Sequence, residues 1–285
     1  MNRTVLLLAT PAIAVIGLLC LAPLVLVVVW SFWTWDPSTY WIKPDLSFAA
    51  YEAIFEAGRW KVLLDSIIKA LLTGLICLVI GYPAAYCIHF LAGNRSAFLL
   101  MGLFTIPFFT SYLIRSFSWR LVLGRNGMVN STLMSTGLID EPIEWLLFSD
   151  FAVIVGLVAS YLPFVIFPLL LSMRKVEKSV LQASLDLGAS FFQTLRTVLL
   201  PLTKAGCFAG FLFVFVMSLG SSTEVKMLGG AAASMISVMI NDVMRVVNFP
   251  LAFAISSVVI LFLLILLYVG NRHLKLAKLF EDFSW

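Results

Sequence analysis

Gln182-Ala183-Ser184-Leu185-Asp186-Leu187-Gly188 and, ten residues further on, Val198-Leu199-Leu200-Pro201 form a polar island in a chain that is otherwise almost wholly apolar. From Val176 to Leu187 the residues Val180, Leu181, Leu185 and Leu187 alternate with polar ones at near-helical spacing, which predicts a short helix. Gly188 then ends it, as a glycine in the left-handed conformation does. Between Ser190 and Leu200 the helical pattern resumes, with Phe192, Leu195, Val198 and Leu199 on one stripe. Pro201 fits near the start of the following helix, where a missing N–H costs least. Ala183 and Ser184 are small, so the first helix offers a slim face that another protein can approach closely. Two readings follow from the residues: an amphipathic hairpin lying on the inner leaflet, or an element that docks a partner.

The rest of the chain decides what surrounds this island. It has 285 residues, of which 61% are hydrophobic and 12% charged, with a mean hydropathy of +1.04. A soluble domain of this length cannot hide so much apolar surface, so the class is polytopic membrane protein. Stretches free of Asp, Glu, Lys and Arg run 4–35, 70–94, 96–114, 151–173, 205–223 and 246–271. A hydrocarbon core roughly 30 Å thick needs about 20 such residues as helix. The expectation is therefore an all-α fold with six transmembrane helices, at about 5–31, 64–91, 98–117, 151–172, 205–223 and 250–270. They form one transmembrane domain over 1–285, with a polar loop at 173–203.

Charge orients the spans. With both termini inside, the cytoplasmic segments carry a net +6 and the outer ones −2. The basic residues Arg174, Lys175, Lys178 and Arg196 crowd the 173–203 loop with Lys204 just beyond it, and Lys275 and Lys278 the tail, as the positive-inside rule asks. Val5 to Trp30 is too long for a cleavable leader and ends in the aromatic cluster Trp30, Trp33 and Trp35, so it reads as an uncleaved first span. Lys69, near the outer end of span two, is expected to snorkel to the headgroups. Cys20, Cys77, Cys87 and Cys207 all fall in spans and read as small packing residues without a disulfide framework. His89 and His273 have no ligand-spaced partners, so no metal site is expected. The sequons at Asn94 and Asn130 carry no weight, and no Gly-x-x-x-x-Gly-Lys-Ser/Thr loop is present. The chain has no recognisable means of binding ATP, and no nucleic-acid partner is expected.

Between spans, Trp35 to Lys61 suggests a short surface helix, Ala92 to Arg95 a tight inner turn, and Gly124-Arg125-Asn126-Gly127 a turn within the excursion 119–150. A second excursion, 224–248, contains the amphipathic stretch Met235 to Val247.

The spacing within the polar island carries further. Over residues 182–201 the chain reads Gln-Ala-Ser-x3-Gly-x9-Val-x-Leu-Pro, which resembles the Glu-Ala-Ala-x3-Gly-x9-Ile-x-Leu-Pro pattern of ABC importer membrane subunits. It stands where that pattern belongs, between the fourth and fifth spans, although Gln182 lacks the usual acid. Gly81-Tyr82-Pro83-Ala84-Ala85-Tyr86, Ile106-Pro107-Phe108-Phe109-Thr110-Ser111-Tyr112-Leu113-Ile114-Arg115, Gly127-x2-Asn130 running to Gly137-x4-Pro142-Ile143, Asp186-Leu187-Gly188-Ala189-Ser190 and Gly229-Gly230 are similar to segments of the spermidine/putrescine-type ABC importer permeases. The resemblance spans nearly the whole chain. It implies the type I ABC importer permease fold and a place in the bacterial inner membrane. It implies four kinds of surrounding partner: a second related permease, two copies of an ATP-binding subunit, an extracytoplasmic solute-binding protein and membrane lipid. Gln182, Ala183, Ser184, Asp186 and Gly188 become the ATPase-coupling residues. ATP and Mg²⁺ enter only through the partner ATPase, and this chain, which is no enzyme, binds no cofactor itself.

The cargo is read from polar groups beside spans three and five: Tyr112, Ser221, Ser222, Thr223, Glu224 and Asp242. Ionisable groups at membrane depth are expensive and mark function, while the plainer reading of Glu224 and Asp242 places them at the outer water interface. Tyr112 and Trp119 suit an organic cation or simple interfacial anchoring. Overall similarity favours a polyamine. Lys226 departs from the pattern of an acid two or three residues before the Gly-Gly pair, which leaves an opine, an amino acid derivative or an aminophosphonate as the alternative. A self-contained secondary transporter is the reading from another class, but its mark, charges or broken helices at mid-membrane, is confined here to Pro83, Pro107, Pro163 and Pro168.

Overall fold

The computed structural model describes residues 3–231 and 233–274. The apolar runs fold as helices, because a backbone without water must satisfy its own N–H and C=O groups. In chain order these are α1 (Arg3–Trp30), a hairpin of β1 (Thr34–Asp36) and β2 (Trp41–Lys43), α2 (Ala49–Phe55) and α3 (Arg59–Tyr86). A wider turn, Cys87–Leu91, extends α3 before α4 (Asn94–Phe109). Then come α5 (Tyr112–Leu123), α6 (Met128–Ser135), α7 (Asp150–Met173), α8 (Lys178–Asp186), α9 (Phe191–Thr194), α10 (Leu200–Gly220), α11 (Ile236–Arg245) and α12 (Phe249–Leu274). The hairpin holds the only strands among the described residues, paired antiparallel with Trp35 opposite Ile42.

Four helical stretches among the described residues are long and apolar enough to cross a membrane: Arg59–Leu91, Asp150–Met173, Phe191–Gly220 and Phe249–Arg272. The predicted spans two, four and six fall on the first, second and fourth of these. The predicted straight third span, 98–117, is instead broken, with a 100° turn between Asn94–Phe109 and the helical stretch starting at Tyr112. Thr110 and Ser111 are extended there, ψ 129° and 134°. The fifth span is also redrawn. It begins at Phe191, because the widened turn Leu195–Leu199 carries α9 straight into α10 without a gap, with Pro201 in the first turn of α10. It stops at Gly220 rather than continuing to Thr223. With the broken pair counted as one span, and α1 with its apolar run Ala14–Trp30, the set is compatible with six.

The described residues divide into two compact units, 3–62 with 239–265, and 63–238 with 266–274. In the first, Trp30 lies against Trp33 and Phe253, with ring centroids 5.8 and 5.9 Å apart. The Ser31 hydroxyl shares a hydrogen bond with that of Tyr51 at 2.7 Å. In the hairpin, the Lys43 ammonium, 2.7 Å away, and the Ser38 and Thr39 hydroxyls hold the Asp36 carboxyl below the usual carboxylate range.

In the second unit α7 is the centre. Its core residues Val153, Leu157, Val165, Ile166, Leu169 and Met173 are fully buried. Helix α10 lies along it at glycine contacts. A Cβ on Gly206 would stand 2.4 Å from Ser172 Cβ and 2.7 Å from the Pro168 carbonyl, and one on Gly210 3.0 Å from Val165 Cα. The Gly-x-x-x-Gly spacing thus brings two backbones together, the way membrane helices associate when lipid supplies no hydrophobic drive. From α3, Tyr82 reaches the buried Thr203 of α10, oxygen to oxygen 3.0 Å.

Three details differ from expectation. Lys69 does not snorkel: it is 4% exposed and bridges Asp65 (2.5 Å) and Asp150 (2.7 Å). Of the four cysteines, all free, Cys77 is the buried packing residue, whereas Cys20 and Cys87 are exposed. Asn130 is fully buried: its amide donates to the Gly124 and Ile143 carbonyls, and its oxygen accepts from the Ile143 N–H at 2.8 Å. That accounts for the Gly127-x2-Asn130…Ile143 pattern as a clip closing the excursion. The predicted charges of the tail, Lys275, Lys278, Glu281 and Asp282, lie outside the described residues.

Candidate functional site

The 173–203 loop is built from two capped helices. At the end of α8 the Gly188 N–H donates to the Leu185 carbonyl (2.9 Å) and the Ala189 N–H to the Ser184 carbonyl (3.2 Å). This is the paired Schellman closure, and Gly188 has the left-handed φ of +87° that it demands. Ser190 starts α9 with a reciprocal box: its hydroxyl accepts from the Gln193 N–H, and the Gln193 side chain accepts from the Ser190 N–H at 2.7 Å. Ser184 and Thr194 share a hydrogen bond at 3.0 Å, which ties α8 to α9. Leu181 anchors the loop against Val176 and Leu199, with Tyr82, Tyr86 and Phe90 around them.

The face left over is what the sequence pointed to. Gln182, Ala183, Asp186 and Gly188 are exposed, and Ser184 is half-buried by its bond to Thr194. Leu187 and Phe192 stand beside them 89% and 77% exposed. A Cβ on Gly188 would meet nothing within 4 Å. The loop is therefore braced from below and open above.

A second feature lies where the broken span meets α7. An open cavity of about 670 Å³ is lined by the end of α4, the Thr110–Ser111 break, Tyr112 and Arg115 of α5, Ser160, Tyr161 and Phe164 of α7, and Gly220 to Glu224. Its size is that of a small-ligand site. Tyr112, Ser221, Ser222, Thr223 and Glu224, which the sequence offered as candidate path residues, all line it. Asp242 does not: it is exposed on α11. Tyr161 is the midpoint of the 24-residue α7, about 16 Å along the helix from Asp150. Glu224 is 4% exposed and lines the same cavity.

Local geometry explains how a carboxylate comes to be there. Helix α10 stops at Gly220, Ser221 turns extended, and a widened turn, Val225–Gly229, follows. The Ser221 hydroxyl donates to Glu224 Oε2 at 2.5 Å, and the Ser221 carbonyl accepts from the Ser237 hydroxyl at 2.6 Å. Rings complete the wall: Phe108 and Phe164 centroids are 4.8 Å apart, and Tyr161 and Phe164 6.2 Å. An acid set among aromatic faces suits an ammonium group. Arg115, Ser160, Tyr161, Phe164 and Gly220 are among the lining residues that sequence reasoning did not assign to the path. Lys226 is not among the lining residues. Among the described residues no group of three or more His, Cys, Asp or Glu is placed to hold a metal ion.

Comparison with known proteins places this geometry. No protein-family model matches the chain. It is 34% identical over 259 residues to the spermidine/putrescine transport system permease protein PotB of Haemophilus influenzae, covering 90% of both chains. To PotB of Escherichia coli strain K12 it is 34% identical over 249 residues, covering 86% of this chain and 90% of that one. It is 28% identical over 259 residues to the E. coli K12 inner membrane ABC transporter permease protein YdcU, covering 86% and 81%. Among solved structures, a bacterial alginate ABC transporter in complex with its alginate pentasaccharide-bound periplasmic protein contains a chain that matches with TM-score 0.71 at 17% identity, covering 95% and 94%. A chain of the MetNI methionine ABC transporter in an inward-facing conformation matches with TM-score 0.52 at 16% identity, covering 78% and 98%. The fold is that of the type I ABC importer permeases, and the apolar helices together with these relatives make the protein a multi-pass inner-membrane protein. With 34% identity across 90% of both chains, this chain belongs to the PotB family, the permease subunits of ABC importers.

Proposed function

We propose that this chain, working as one transmembrane domain, forms half of the path through an ATP-driven importer of polyamines and couples to a separate ATPase through its 182–201 loop. The partners are a second, related permease, two ATP-binding subunits that hold ATP and Mg²⁺, and an extracytoplasmic solute-binding protein. Both termini and the 173–203 loop face the cytoplasm, and lipid surrounds the spans.

The observation that carries this reading is the loop: braced by Leu181 and the Ser184–Thr194 bond, closed at Gly188, and presenting Gln182, Ala183, Asp186 and Gly188 outward. A surface that must transmit thrust from a moving partner needs such stiffness. For the cargo, the support is Glu224 in a cavity of aromatic faces, with Lys226 outside the lining. That favours a cation over the zwitterionic and anionic alternatives.

Gly188→Asp tests the coupling role. Within this chain the new side chain meets only backbone strain, about 1–2 kcal/mol, because nothing lies within 4 Å of its Cβ. The variant should insert at normal level, yet uptake of spermidine or putrescine and solute-stimulated ATP hydrolysis by the assembled transporter should both be lost. Near-normal uptake at normal expression would sink the coupling role of the loop.

A further inference from the structure

Arg115 is an arginine on the wall of a cavity for which a cationic solute has just been proposed. Its guanidinium is committed elsewhere: Nε donates to Ser160 Oγ at 2.9 Å and Nη1 donates to the Pro107 carbonyl at 3.0 Å. No carboxylate lies within ion-pair distance of it among the described residues. Pro107 is in the last turn of α4, where the helix stops and its final carbonyls lose their partners. Among the described residues the only backbone N–H reaching the Pro107 carbonyl is that of Thr110, at a long 3.4 Å. Ser160 is 3% exposed on α7. Arg115 therefore joins the two halves of a span that share no continuous helix across the 100° turn, and fastens both to α7.

We infer that Arg115 is a positioning residue for the transported solute. Thr110, Ser111 and Tyr112, which line the cavity, sit on the break itself, so the angle that Arg115 fixes is the angle at which they meet the solute. Groups that recognise a ligand must be held to within about half an ångström. A planar guanidinium fork fixes the directions of its two acceptors, whereas a lysine ammonium is a compact, rotatable charge on a flexible stem. This inference rests on the transport reading above.

The test uses the complete transporter, with its ATPase, second permease and solute-binding protein, in proteoliposomes, and labelled spermidine as the solute. The quantity read is ATP hydrolysed per solute taken up, which does not depend on how much of a variant has folded. Arg115→Lys and Arg115→Gln should keep stimulated ATP hydrolysis but raise that ratio about tenfold, the scale of losing a charged hydrogen bond. Ser160→Ala, which deletes one oxygen, should raise it several-fold, and the Arg115→Gln, Ser160→Ala double variant should be no worse than Arg115→Gln alone. A wild-type ratio in Arg115→Lys would show that charge alone suffices and overturn the inference, as would additive effects of the two sites. Should the Arg115 variants fail to assemble, Ser160→Ala decides: a wild-type ratio there overturns the inference equally. Wild-type proteoliposomes that take up no spermidine or putrescine on ATP would overturn the transport reading and this inference together.

Discussion

Lys69 shows how far one residue's role can lie from its local sequence. A lysine near a span end is normally solvated by its own long stem. Here its ammonium is withdrawn from water, while its partners Asp65 and Asp150 remain 48% and 53% exposed. The Ser234 carbonyl accepts a further, longer contact at 3.4 Å. Removing the cation and removing the anions are thus unequal. Lys69→Met leaves two carboxylates that rehydrate, at a cost of about 1–3 kcal/mol. The double change Asp65→Asn, Asp150→Asn leaves a charged ammonium buried without a counter-ion, which costs more. Thermal unfolding in detergent should therefore rank wild type above Lys69→Met, and Lys69→Met above the double variant. The reverse order of the variants would show that Lys69 is not buried as described.

At the level of elements, the contact of α7 with α10 is the one most exposed to substitution. Gly206 has no room for even one carbon without displacing the Pro168 carbonyl or the Ser172 Cβ. Gly206→Val should force the helices apart and cost about 3 kcal/mol or more. The check is a drop in unfolding midpoint well beyond that of Gly102→Val, at a glycine with nothing within 4 Å. Equal drops would count against close helix contact. What the sequence disclosed follows the same division between local and distant. Gly188 and the two short helices were legible because a helix stop and its resumption are written within a few residues. The Ser190 to Gln193 spacing, and that of Gly206 to Gly210, are equally local, but their meaning came only from the structure. The breaks were not legible: Pro107 is visible, yet the chain opens at Thr110–Ser111, where no residue type compels it. Nor was the burial of Glu224, since a charge-free run does not reveal that α10 stops at Gly220. Arg115, Ser160 and Tyr161 acquire meaning only when a broken span meets a helix some 45 residues away, Arg115 to Ser160.

For the whole molecule, sidedness is the open quantity, and exposure makes it measurable. After replacement of Cys20, Cys77, Cys87 and Cys207, a single cysteine is placed at Leu187, which is 89% exposed, or at Tyr40, which is 61% exposed on the hairpin. A membrane-impermeant maleimide should label the Leu187 position only in inside-out vesicles and the Tyr40 position only in intact spheroplasts. The opposite pattern would invert the proposed orientation.

Phe191 to Gly220 is a continuous helical stretch of 30 residues that includes the widened turn Leu195–Leu199, about 45 Å long. Its first turn is bonded to α8, and its last residue lines the cavity beside Glu224. A tilt of about 10° about the Phe191 end swings the far tip by roughly 8 Å, from the same rise per residue. A single continuous helical stretch thus joins Thr194 of the loop to Gly220 of the cavity wall.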